Sequence, residues 1–86
     1  MQIKIPMVMR EVMGDYVLVP IGEGAQALNG LVTVNAVGAF LWERLADAPD
    51  ADALVDALTA TYDVERARAA ADVEAFLQKL RDTGIL

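Results

Sequence analysis

The chain contains no cysteine, no histidine and no serine. The first absence excludes disulfides, thiolate nucleophiles and zinc–thiolate sites, and leaves the redox compartment unreadable. Without serine or histidine there is no Ser–His or Cys–His pair, and no serine to which a small acidic carrier protein could attach a phosphopantetheine arm. Chemistry is left to carboxylates, lysine, tyrosine and threonine. Positive charge is also scarce: 7 basic residues face 13 acidic ones, giving a net charge of −6. The basic residues are scattered, which argues against nucleic acid as a partner, since phosphate neutralisation supplies most non-specific affinity. The opening Met-Gln-Ile-Lys-Ile-Pro lacks the unbroken apolar core of a signal peptide, so the expected location is the cytoplasm.

A long charged-residue gap runs from Gly24 to Trp42, 19 residues, about the length that spans a bilayer. Gln26, Asn29, Thr33, Asn35 and three glycines interrupt it, and its apolar period changes from 2 to 3.6 partway along. It therefore reads as a buried strand running into a buried helix rather than as a membrane segment, and no membrane partner is expected. With 86 residues, 56% of them hydrophobic, the chain is expected to form a single domain over residues 1–86 with a modest core. A partner, or a homodimer, would add to its stability.

The first half reads as β-structure. Met7 to Val12 alternates weakly, Gly14-Asp15 is a short turn, and Tyr16 to Val19 is a β-forming run stopped by Pro20. Ile3 and Ile5 are candidates to extend the first strand. Gly22, Gly24, Asn29 and Gly30 punctuate a loop, after which Leu31 to Val34 alternates as a third strand. Asn35 suits the N-cap of a first helix from Ala36 to Ala46, in which Val37, Phe40, Leu41 and Leu45 recur at helical spacing and Gly38 permits close approach. Asp50 suits the N-cap of a second helix, with Leu54, Val55 and Leu58 inward, closing near Tyr62. The last helix runs from about Glu65 to Thr83, with Ala69, Val73, Phe76, Leu77 and Leu80 on one face and Gly84 as its left-handed stop. Its start is weakly specified: Glu65 is a poor cap before Arg66, and Ala67, Ala69, Ala70 and Ala71 make its first half alanine-rich. The expected fold class is α+β, in the order β-β-β-α-α-α.

An ordered set of segments carries a family resemblance. These are Tyr16-Val17-Leu18-Val19-Pro20, Leu28-Asn29-Gly30, Asn35-Ala36-Val37-Gly38-Ala39-Phe40-Leu41-Trp42, Tyr62-Asp63-Val64, Asp72-Val73-Glu74-Ala75-Phe76-Leu77 and Gly84-Ile85-Leu86. Together they resemble the pyrroloquinoline quinone biosynthesis protein D family over nearly the whole chain. The resemblance implies a winged-helix-like domain, a three-stranded antiparallel sheet followed by three helices, that recognises ribosomally made, post-translationally modified peptides. It implies a chaperone, not an enzyme, and no cofactor. The leader segment of a precursor peptide would add as an antiparallel strand to the third strand, against the last helix, and be delivered to a modifying enzyme, often a radical S-adenosylmethionine protein.

The residues support that mechanism independently. The strand Leu31, Val32, Thr33, Val34 has no sequence neighbour left for its second side, and it carries none of the lysine, proline or inward charge that protects an edge. A second protomer or the N-terminal segment is the alternative occupant. On the last helix, Arg68, Asp72, Ala75 and Lys79 form a stripe beside the core stripe. Asp72 and Lys79 are candidates to orient a peptide by charge, and Phe76 with Ala69 or Ala75 to frame an apolar pocket. The competing reading makes Arg68, Asp72 and Lys79 solvated surface and Phe76 core. Trp42 reads as a cap on the core, and of Met7, Met9 and Met13 two read as core filler. Asp47, Asp50 and Asp52 lie at a helix start, where capping and the helix dipole explain them without a metal. A nucleic-acid-binding winged helix or a dimerisation module is the alternative function.

Overall fold

The computed structural model describes residues 1–22 and 32–86. Within them a three-stranded antiparallel sheet, β1 (Met7–Val12), β2 (Asp15–Pro20) and β3 (Val32–Val34), is followed by helices α1 (Ala36–Leu45), α2 (Ala51–Thr61) and α3 (Arg66–Asp82). This is the α+β order expected. The sheet order is β1-β2-β3, so β3 is an edge among the described residues. Leu31 and the loop signals Gly24, Asn29 and Gly30 lie outside the described residues.

Two details of the first hairpin differ from the sequence reading. The turn is Met13-Gly14, one residue earlier than expected, because Asp15 already pairs with Val12. Both turn residues have positive φ, 52° at Met13 and 87° at Gly14, the signature of a type I′ turn, whose twist matches that of the flanking strands. Methionine is a poor residue there, and its side chain is 99% exposed, so packing offsets none of the strain. Met13→Asn should therefore stabilise the protein by about 1 kcal/mol, read as a rise in Tm; an unchanged or lower Tm would show that the exposed methionine contributes something the turn geometry does not reveal. Met7 and Met9 pack against the core.

The second difference concerns Ile3 and Ile5, which do not extend β1. Lys4 N–H donates to the Ile85 carbonyl at 2.7 Å, and Pro6 has no N–H for a ladder, so the N-terminal segment leaves the sheet and crosses to the end of α3. There Ile5 is buried, 8% exposed.

The helices form where local chemistry directs them. Asn35 Oδ1 accepts from Gly38 N–H at 2.8 Å and Asp50 Oδ1 accepts from Ala53 N–H at 3.0 Å, so the two expected N-caps are made. At α3 the Glu65 side chain makes no capping bond. Its first turn is tied down instead by Arg66, which donates to Asp56 Oδ1 of α2 at 2.8 Å. At the other end Gly84, with φ 84°, reverses the chain. Ile85 N–H then donates to the Leu80 carbonyl at 2.9 Å, and its side chain is fully buried.

The core lies between one face of the sheet and the three helices. Leu18, Val32 and Val34 meet Leu41 and Leu45 of α1, Leu54 and Leu58 of α2, and Val73, Leu77 and Leu80 of α3. No polar side chain is buried among the described residues. Trp42 is half-buried against this cluster, as a cap on it. No described helix is long and apolar enough to cross a membrane.

Candidate functional site

The site is built by the step from β3 into α1. In β3, Val32 and Val34 are buried and Thr33 is exposed, so the alternation read from the sequence sets two side chains into the core and one onto the outer face. β3 pairs with β2 through Leu18↔Val32, Val17↔Thr33 and Tyr16↔Val34, which occupies one of its two sides. Asn35 then turns the chain directly into α1, so the edge is held by a helix rather than by a loop.

Gly38 sets how closely α1 approaches that edge. A Cβ at this position would lie 2.9 Å from the Val34 Cβ and 3.5 Å from Phe76 Cδ1. Only a glycine lets the first turn of α1, the end of β3 and α3 come this close. The gap left beside them is a groove of about 290 Å³. One wall is Val34, Asn35, Val37, Gly38 and Leu41; the other is Arg68, Asp72, Ala75, Phe76 and Lys79 of α3.

Five expected residues of α3 therefore stand together on the groove: Arg68, Asp72, Ala75, Phe76 and Lys79. Phe76 is only 7% exposed and serves core and groove at once. Ala69 does not join them. It is fully buried, so it packs α3 into the core and has no surface to offer a ligand, a correction to the pocket expected from Phe76 and Ala69. Asn35, Val37, Gly38 and Leu41 line the groove although the sequence points to them only as a cap, a packing contact and core. Asn35 and Gly38 fill both roles, and the glycine in a helix's first turn is the signal for close approach.

A second cavity of about 350 Å³ continues the groove past α1. It shares Val37, Arg68 and Asp72 with the first and adds Leu58, Tyr62, Asp63 and Val64. Arg68 Nε lies 3.5 Å from Asp72 Oδ1, one helical turn apart, so this ion pair forms the sill between the two. The Arg68 side chain is 73% exposed, which makes the pair a weak contributor to stability. Tyr62 is set by an edge-on contact with Phe40, ring centroids 5.3 Å apart. The guanidinium of Arg44 covers the Phe40 ring at 3.6 Å.

The free edge of β3 is not bare. The Lys79 ammonium donates to the main-chain carbonyl of Thr33. The expectation of an edge without lysine is corrected here: the protecting lysine comes from α3, 46 residues away in sequence, where no strand-local pattern can announce it.

A strand edge open on one side among the described residues and a helix-walled groove at its end define the class: a small α+β domain shaped to accept an extended chain. The profile of the family described as "Coenzyme PQQ synthesis protein D (PqqD)" matches residues 15–86, and the chain belongs to that family. Among solved structures, "TbiB1 in Complex with the TbiA(beta) Leader Peptide" is similar at 27% identity with a TM-score of 0.74, covering 100% of this chain and 94% of that one. A search of the curated proteins finds no match.

Proposed function

We propose that this protein binds the leader segment of a ribosomally made precursor peptide as an added antiparallel strand on β3, and presents it to a peptide-modifying enzyme such as a radical S-adenosylmethionine protein. One observation carries the reading: among the described residues one side of β3 is unpaired, and at its Val34 end it opens onto a groove whose far wall is α3. Strand addition draws affinity from main-chain hydrogen bonds, which any peptide offers, and selectivity from the pockets that receive alternate side chains. The contact set is the main chain of Val32, Thr33 and Val34 together with Arg68, Asp72, Ala75, Phe76 and Lys79. The leader peptide seated on TbiB1, a protein similar over the whole of this chain, supports the same class of ligand.

The role is non-catalytic, supported by a sequence without serine, cysteine or histidine, and it belongs in the cytoplasm, where precursor peptides are made. Ordering a flexible leader costs about 2 to 5 kcal/mol of the gross interaction, so affinity on the order of micromolar is expected. The test is a titration of isotope-labelled protein with the leader segment of any short precursor peptide found encoded beside it, followed by amide chemical shifts. Perturbations should concentrate on Val32–Val34 and on the Arg68–Lys79 face of α3. Shifts confined to other surfaces, or none at millimolar peptide, would overturn the reading.

A further inference from the structure

The contact between Lys79 and Thr33 decides what the groove asks of its guest. Consecutive carbonyls along a strand point to opposite sides, and β2 lies on one side of β3. The Thr33 carbonyl, reached by a side chain from α3, therefore faces the free side. It is the acceptor that an added strand must use. Lys79 thus stands where the guest's main-chain N–H has to go.

In its present position Lys79 has no acidic partner among the described residues. Arg68, the groove's other cation among the described residues, is matched by Asp72 at 3.5 Å, whereas no described carboxylate lies within ion-pair distance of Lys79. We propose that Lys79 is a displaceable cap on the edge of β3 and the residue that selects an acidic guest: the peptide's N–H takes over the Thr33 carbonyl, and the released ammonium takes a carboxylate carried by the peptide. The inference rests on the strand-addition reading above and names the chemistry of its ligand. Register limits where that carboxylate sits. The guest residue directly opposite Thr33 shares its outward face, while its two neighbours, opposite Val32 and Val34, turn their side chains toward the helices and Lys79. The acidic residue is therefore adjacent to the one that pairs with Thr33.

The experiment uses wild type, Lys79→Met and Lys79→Glu, each titrated with the leader peptide and with a copy in which that carboxylate is replaced by its amide. Lys79 is exposed, so melting curves should confirm that all three fold alike. Wild type should lose about two- to fivefold in affinity with the amide peptide, the scale of an exposed ion pair. Lys79→Met should bind both peptides equally, and Lys79→Glu should prefer the amide. Without any peptide, Lys79→Met should self-associate at lower concentration than wild type, since its edge is uncovered. Equal affinity of wild type for the two peptides, or a leader with no acidic residue beside the pairing position, overturns the selection and leaves strand addition standing. Unchanged self-association overturns the cap. Failure of wild type to bind the leader at all removes the underlying reading, and this inference with it.

Discussion

Thr33→Pro should abolish peptide capture while the protein stays folded. Within a strand, a residue's N–H and C=O point to the same side, so Thr33 presents both to the free edge and Val32 and Val34 carry the ladder to Leu18 and Tyr16. Proline removes the outward donor and sets a ring in the path of the added strand. An edge strand tolerates it because no bond to β2 is lost. Losing one main-chain hydrogen bond and stranding the guest's carbonyl costs about 2 to 4 kcal/mol, or roughly 30- to 1000-fold in affinity. Calorimetric titration measures the loss, and a Tm close to that of wild type shows that the sheet is intact. Near wild-type affinity in a folded variant would exclude strand addition at β3.

The second large effect is on stability. Leu77 is fully buried on the side of α3 turned away from the groove, in the cluster with Leu41, Leu45, Leu54 and Leu58. Leu77→Ala removes buried side-chain volume that surrounding helices can only partly refill, a loss of about 2 to 5 kcal/mol. For a protein of this size each kcal/mol shifts Tm by about 4 to 8 °C, so a drop of roughly 8 to 40 °C is expected in a thermal melt. Domains hold only about 5 to 15 kcal/mol in total, so the variant should sit near the limit of folding. A loss below about 1 kcal/mol would mean that α3 is not rigidly seated, and the groove would then lack a fixed wall.

Much of this architecture was legible because local chemistry and global fold agree. The 3.6-residue spacing of Leu41 and Leu45, of Leu54 and Leu58, and of Val73, Leu77 and Leu80 identifies three helices. Asn35, Asp50 and Gly84 mark their limits with side chains or conformations suited to nothing else nearby. The stripe Arg68, Asp72, Ala75 and Lys79 was legible for the same reason, since residues on one helix face stay together whatever the helix packs against. What escaped depended on partners distant in sequence. Ala69 and Ala75 are identical in polarity and size, and only the packing around α3 makes one fully buried and the other exposed. Ile5 follows a strand-like alternation, yet the bond from Lys4 to Ile85 draws it to the opposite end of the chain. The turn slipped by one residue because methionine carries no signal for positive φ.

The order β1-β2-β3 leaves the sheet with two outer borders of different kinds. β1 carries Arg10 and Glu11, both exposed, on its own backbone, and those charges cannot leave it. β3 carries none and borrows its guard from a helix, on a flexible stem that swings aside. Charge on its own backbone blunts β1 against pairing more firmly than a movable lysine blunts β3. On the strand-addition reading, a guest beside β3 arrives without a helix of its own to shield its far side, so a stoichiometry of one peptide per protein requires that the peptide's own side chains close the border it has just opened.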